Sequence, residues 1–288
     1  MIGRVSTFSQ TLYVLDRSLS SQAKLADVQA QTASGLKSGT FGGYGSSARL
    51  IASQQASIAS ADAEAAGAKS ALSVAEQAYS VLGSISDLTD SILSPLASTD
   101  GDSSSLASLA SGWLDDLGSL LNSKFGEQSL FAGDAVDSSA VDLDSWDADD
   151  PGAYYMGAST ARAYTTADGQ TIAISITADD PALSALVNAL KGLANGTVTS
   201  GDALDAIKSS ASDLGVRRAA LSSSASRLER LSDQAEARRT ALTTLVSGLR
   251  ETDLAGAAVL ATQYETLLQT SYSTLNILMS VKLSDYLR

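Results

Sequence analysis

Near the start of the chain, large apolar residues recur at Phe8, Leu12, Leu15 and Leu19, and Ala23 and Ala26 prolong the row. Intervals of three and four residues put them on one stripe of an α-helix, in the manner of an a/d seam. At the other end Leu268, Tyr272, Leu275, Met279, Leu283 and Tyr286 repeat those intervals, behind Thr252-Asp253, which can cap a helix start. So narrow a stripe cannot be buried by its own helix. Each terminus therefore needs a partner, and the simplest partner is the other terminus.

The middle of the chain follows other patterns. Ser34 to Gly45 holds five glycines in twelve residues, where the chain must turn. Helical spacing resumes near Ser46 and runs through Ile58, Val74 and Leu82 to Leu93, closed by Pro95 and the polar cluster Ser98 to Asp102. A third helix fits Leu106 to Phe125. Glu127 to Asp150 carries eight acidic residues and no basic one, and reads as surface loop. Thr160–Ala167 and Gln170–Ala178 flank Asp168-Gly169, which suits a two-residue type I′ turn, with Ile172, Ile174 and Ile176 alternating on one face. This hairpin is the only stretch that reads as sheet. Asp180-Pro181 opens a helix to about Leu193, and after Asn195-Gly196 a long helix runs from Asp202 to about Leu249.

The pattern predicts a mainly α protein: a long antiparallel helical rod or coiled coil formed by the N- and C-terminal helices, with a small α+β insertion, a β-hairpin, in the middle. The expected divisions are 1–45 (assembly helix and turn), 46–125 (helical rod), 126–200 (surface insertion), 201–250 (return of the rod) and 251–288 (assembly helix).

Composition narrows the chemistry. The 288 residues include no His and no Cys, which removes zinc fingers, thiol nucleophiles, Ser-His-Asp triads, haem and iron-sulfur ligation. A net charge of −13, with no compensating Lys/Arg cluster, argues against nucleic-acid binding. Aromatics are only 5%, so the composition suits closely packed helices better than a thick core. No run of apolar residues is long enough for membrane insertion. The first ten residues have no apolar stretch of the kind a cleaved signal requires, which leaves open export by a machine that reads an uncleaved N-terminus.

Three places resemble one family, the bacterial flagellins with the flagellar hook-filament junction (hook-associated) proteins. Arg4-Val5-Ser6-Thr7 and Gln29 to Lys37, ending in Ser34-Gly35-Leu36-Lys37, look like its first helix and the end of that helix. Leu130-Phe131-Ala132-Gly133 looks like an element typical of junction proteins, and the hairpin with Thr177-Ala178-Asp179-Asp180 continues the likeness. Thr252-Asp253-Leu254-Ala255, Tyr264 to Tyr272 and Leu283 to Arg288 look like the tail shared by both branches. The Gly- and Ser-rich Thr40 to Arg49 departs from the usual flagellin sequence and favours the junction branch, beside the alternative of a short flagellin.

The resemblance implies a structural subunit of the extracellular flagellum serving motility, exported without a cleaved signal through the flagellar type III apparatus with an export chaperone. Its expected partners are further copies of itself, as a homopolymer or ring, and neighbouring flagellin and hook-associated subunits. In that family the terminal helices pair within a subunit and pack against neighbours, which makes Phe8, Leu12, Leu15, Leu19, Leu268, Tyr272, Leu275, Met279 and Leu283 the candidate assembly residues.

No catalytic, cofactor-binding or metal-binding residue is expected, and no cofactor. Asp142, Asp144, Asp147, Asp149 and Asp150 lack the EF-hand pattern, with Trp146 where an oxygen ligand would fall. The glycines of 35–45 are followed by no Gly-Lys-Ser/Thr and read as a turn, not a phosphate cradle. A carboxylate enzyme is conceivable but unspecified by any pattern. The other alternative is a surface adhesin or glycan-binding homologue using Trp146, Tyr154, Tyr155 and Tyr164, whose plainer role is a small core beneath the hairpin.

Overall fold

The structure, a computed structural model, describes the backbone of residues 2–98 and 103–286, and side chains within 9–97 and 105–277. Six long helices carry it: α1 (Ile2–Ser34), α2 (Ser47–Ser98), α3 (Ser103–Leu121), α4 (Pro181–Ala194), α5 (Ser200–Arg250) and α6 (Leu254–Tyr286). Two short antiparallel hairpins join them, β1 (Lys124–Phe125) with β2 (Gln128–Ser129), and β3 (Ala163–Thr165) with β4 (Thr171–Ala173). The mainly α fold with a small β insertion is as the spacing predicts. The chain separates into two compact units, 1–59 with 239–288, and 60–238.

In the first unit α1 and α6 run antiparallel. Leu36 bridges Glu251, Thr252 Oγ1 lies 3.4 Å from Gln31 Oε1, and Gln22 Nε2 donates to the Tyr272 hydroxyl further along, so numbers rise on one helix as they fall on the other. The seam is built from small side chains. On α1, Ser18, Ser21 and Val28 are buried, and on α6, Ala257 and Leu268. Such residues let the two backbones approach closely, and they bury little apolar area in doing so.

The second unit holds the larger core. Leu106, Leu114, Leu117 and Leu121 of α3 meet Leu183, Leu186 and Leu190 of α4, and Leu82, Ile85 and Ile92 of α2 close the cluster with Ile207, Leu214 and Leu221 of α5. Between α2 and α5, Lys69 pairs with Glu236, Arg238 with Glu64, and the Arg218 guanidinium stacks 4.9 Å over the Tyr79 ring. The Asp180 carboxylate caps α4 by accepting from Ala182 N at 3.1 Å and receives Arg217 at 3.0 Å.

Four expectations need correction. Helix α2 continues through Pro95 to Ser98. Only one turn follows the proline, so the backbone bond it cannot make falls where the helix is already running out of partners. Helix α3 stops at Leu121, because Lys124–Phe125 turns back on Gln128–Ser129 as a second hairpin around Gly126. The β3–β4 turn is not type I′: Gly169 has φ +78° while no residue other than glycine has positive φ, and Thr166 N–H bonds Gln170 O across a longer loop.

The fourth correction concerns residues 127–150, which are not simply surface loop. The acidic side chains are exposed, but Leu130, Phe131, Ala132, Ala140 and Val141 between them are buried. Phe131 O accepts from Ala178 N and Ala132 O from Ala158 N, while Asn122 brackets Val141 with two 3.0 Å bonds, Nδ2 to O and N to Oδ1. Counting charge over the stretch hides this alternation of outward carboxylates and inward apolar groups.

Candidate assembly surface

The end of α1 and the start of α6 are tied at one place. Gly35, with φ +71°, ends α1 in the left-handed conformation usual after a helix C-terminus, its N–H still bonding Gln31 O at 2.8 Å. The chain then crosses the α5–α6 junction as a short ladder. Thr252 N–H donates to Gly35 O at 2.9 Å and Lys37 N–H to Arg250 O at 2.8 Å. The Lys37 ammonium donates to Leu249 O at 3.0 Å and Gly248 O at 3.4 Å, placing a cation on the last carbonyls of α5. Asp253 caps α6 by accepting from Ala255 N at 3.1 Å. Two segments quoted for the family resemblance, Ser34-Gly35-Leu36-Lys37 and Thr252-Asp253-Leu254-Ala255, thus meet in one latch. Their separation in sequence concealed this.

From the latch the two helices zip along a seam different from the stripe of large residues. On α1 the inward positions are Thr11, Val14, Ser18, Ser21, Leu25 and Val28; on α6 they are Ala257, Ala261, Tyr264, Leu268, Ser271 and Leu275. Both rows alternate three and four, so the heptad is present, carried on α1 largely by small and hydroxylic residues. A search confined to large apolar side chains selects the neighbouring stripe. A search for any heptad of residues no bulkier than leucine would have found the seam.

The candidate residues therefore divide. Leu268 is buried in the seam and Leu275 half-buried there. Leu12, Leu15 and Leu19 face away from α6, exposed by 50%, 44% and 57%. Tyr272 is exposed on the flank where Gln22 reaches it. The side chains of Phe8, Met279 and Leu283 lie outside the described residues.

On the opposite flank an open groove of about 870 Å³ lies between the helices, lined by Tyr13, Val14 and Arg17 of α1 and by Val259, Thr262, Thr266, Leu267, Thr270 and Thr274 of α6, among others. Each of those four threonines turns its hydroxyl back onto the carbonyl four residues earlier, at 2.9 to 3.1 Å. What remains to face the groove is the methyl group, so a row that looks polar in sequence is apolar in effect. Sequence reasoning missed this groove. Its signal was threonine at every fourth position.

The aromatics considered for glycan binding are placed otherwise. Tyr154 is buried and its hydroxyl donates to Ala178 O at 3.0 Å; Tyr155 donates to Ala158 O at 2.6 Å and Trp146 Nε1 to Asn188 Oδ1 at 2.7 Å. Burial, with the Asp179 carboxylate adding to it, pushes the Tyr154 and Tyr155 hydroxyls up to about 12. Tyr164, packed against Gly67 on α2, is also raised, by burial first and by Glu64 second. These rings make the wall of a core, not a stacking platform.

With this arrangement in view, the comparisons with known proteins concern the same helices. Residues 201–287 match the bacterial flagellin C-terminal helical region, a stretch that takes in nearly all of α5 and α6. The C-terminal third of the chain is thus flagellin-like, as its tail residues suggest. No curated protein matches the chain. Two solved structures are similar to it: the crystal structure of FlgL from Bacillus cereus, at 16% identity, TM-score 0.42, covering 71% of this chain and 98% of that one; and a putative flagellar hook-associated protein from Vibrio parahaemolyticus, at 16% identity, TM-score 0.43, covering 78% and 96%.

Proposed function

We propose that this chain is a structural subunit of the bacterial flagellum, of the hook-filament junction or short-flagellin type, which assembles with neighbouring flagellar subunits through its terminal helices and serves motility. The observation that carries the reading is the flagellin C-terminal helical region over 201–287, whose α6 is paired with α1 in a unit that leaves large apolar side chains exposed on its outer faces. Exposed leucines in such a row are expected to be covered by another protein surface. The chain would reach the cell exterior through the flagellar type III export apparatus with its chaperone, and take its final fold among its neighbours. An adhesive role for the middle segment is not favoured, since its aromatic rings are engaged internally.

The test adds purified subunit to sheared flagellar ends and follows the ends by electron microscopy. Growth of long polymers supports a flagellin, and a short cap a junction subunit. Subunits that never associate with the ends, while a cell lacking the gene swims normally, would refute the reading.

A further inference from the structure

The α1–α6 pair has two unlike flanks, and they are complementary. Arg17 lines the groove. Leu15 and Leu19 are each two positions from Arg17, which at 100° per residue puts them about 160° round the helix from it. The leucine ridge and the threonine-methyl groove therefore lie on opposite sides of the same pair. Both are apolar, one convex and one concave.

Charge follows the same division. Lys24, seven residues after Arg17, shares the groove side, and both are exposed. Asp16, four residues after Leu12 and three before Leu19, borders the ridge, and Asp27 is four residues beyond Ala23 on that side. Among the described residues of α1, the groove flank is thus basic and the ridge flank acidic. Charges so arranged repel like flanks and attract unlike ones.

Building on the subunit reading above, we propose that the occupant of the groove is a second copy of this chain: its ridge of Leu12, Leu15 and Leu19 enters the groove between Tyr13, Val14 and Arg17 and Leu267, Thr270 and Thr274. Each copy then has a donor side and an acceptor side. Such a contact is heterologous, and it propagates: it closes a ring if the rotation between copies closes and extends a wall if it does not. A contact of like flanks would stop at a dimer.

The test uses two full-length variants at exposed positions, Leu19→Arg on the ridge and Thr270→Arg in the groove, each checked for unchanged helix content by circular dichroism. The proposal expects each alone to lose addition to sheared flagellar ends by about tenfold or more, one contact's worth of free energy, and to remain monomeric. Mixed in equal amounts they should form one-to-one dimers that grow no further, because one intact ridge meets one intact groove. Homodimers of either variant, or addition at the wild-type rate by both, would overturn the proposal while leaving the subunit reading in place. Failure of the wild-type chain to add to the ends would remove that reading and the proposal with it. Charge reversal gives a second measurement. Asp16→Lys and Arg17→Glu should each slow addition, and the chain carrying both should regain it; a double variant slower than either single one counts against the assigned flanks.

Discussion

Gly133 closes the Leu130–Gly133 segment where three stretches of backbone converge. Its φ is +62°, and a Cβ there would come 2.3 Å from Ala158 O and 2.5 Å from Thr160 O, the carbonyls that line the segment's own hydrogen-bonded path. Gly133→Ala combines left-handed strain with displacement of backbone that cannot yield as a side chain would. We expect it to destabilise the 60–238 unit by about 2–4 kcal/mol, read as a lower urea midpoint. The buried tyrosines give a second residue-scale prediction. Tyr154 and Tyr155 stay protonated to about 12, whereas in the unfolded chain they ionise at the ordinary value of 10.0. Their contribution is therefore complete below the unfolded value and is lost as pH rises through the folded one, because there the unfolded state gives up protons that the native state keeps. Urea midpoints should be flat up to pH about 9 and fall beyond about 10, by at most about 1.4 kcal/mol per pH unit for Tyr154 and less for the half-buried Tyr155. Tyr154→Phe should remove much of that slope. A midpoint that rises with alkali would contradict the assignment.

Helices, being stretches with a single period, were readable before any coordinates: α1, α4, α5 and α6 begin close to where their caps and apolar spacing put them. What the pattern could not give was the face each helix uses. Ser18 and Ser21 look like solvent positions, yet they are buried because only a small residue allows α6 to come so near. The threonine groove failed to register for the complementary reason, since hydroxyls that bond their own helix no longer mark a wet surface. Turn chemistry also depended on distant contacts. The Asp168-Gly169 dipeptide located its hairpin but not the turn type, and nothing local announced that Lys37 would sit on the end of α5. At this scale the latch makes the sharpest prediction. Lys37→Met keeps the stem and removes the cation from the last α5 carbonyls, a loss of about 0.3–1 kcal/mol for an exposed helix-end charge. Hydrogen exchange should accelerate at Thr252 and through the first turn of α6 by roughly two- to fivefold, with no change in α3 or α4. Equal acceleration throughout would mean that Lys37 acts on the whole chain and not on the junction.

The molecule distributes its stability unevenly between its two units. All of the large core cluster falls within 71–228, inside the second unit, whereas the first rests on a seam in which Ser18, Ser21, Ala257 and Ala261 occupy central positions. Fixing backbone costs about 1–2 kcal/mol per residue, against roughly 25 cal/mol for each Å² of apolar surface removed from water, and small side chains remove little. In the free subunit the α1–α6 pair should therefore open far more often than the core of the other unit. We expect amides of 9–30 and 257–275 to show protection at least about a hundredfold below those of α3 and α4, equivalent to about 2.7 kcal/mol of opening free energy. After addition to flagellar ends the same amides should become protected, because covering Leu12, Leu15, Leu19 and Leu267 supplies the apolar burial that the pair lacks. A fragment spanning 60–238 should meanwhile unfold cooperatively near the midpoint of the full chain, since the cluster it contains is complete. If the fragment fails to fold while the isolated full chain protects its ends strongly, the uneven division is wrong, and the terminal pair is a finished element before any neighbour arrives.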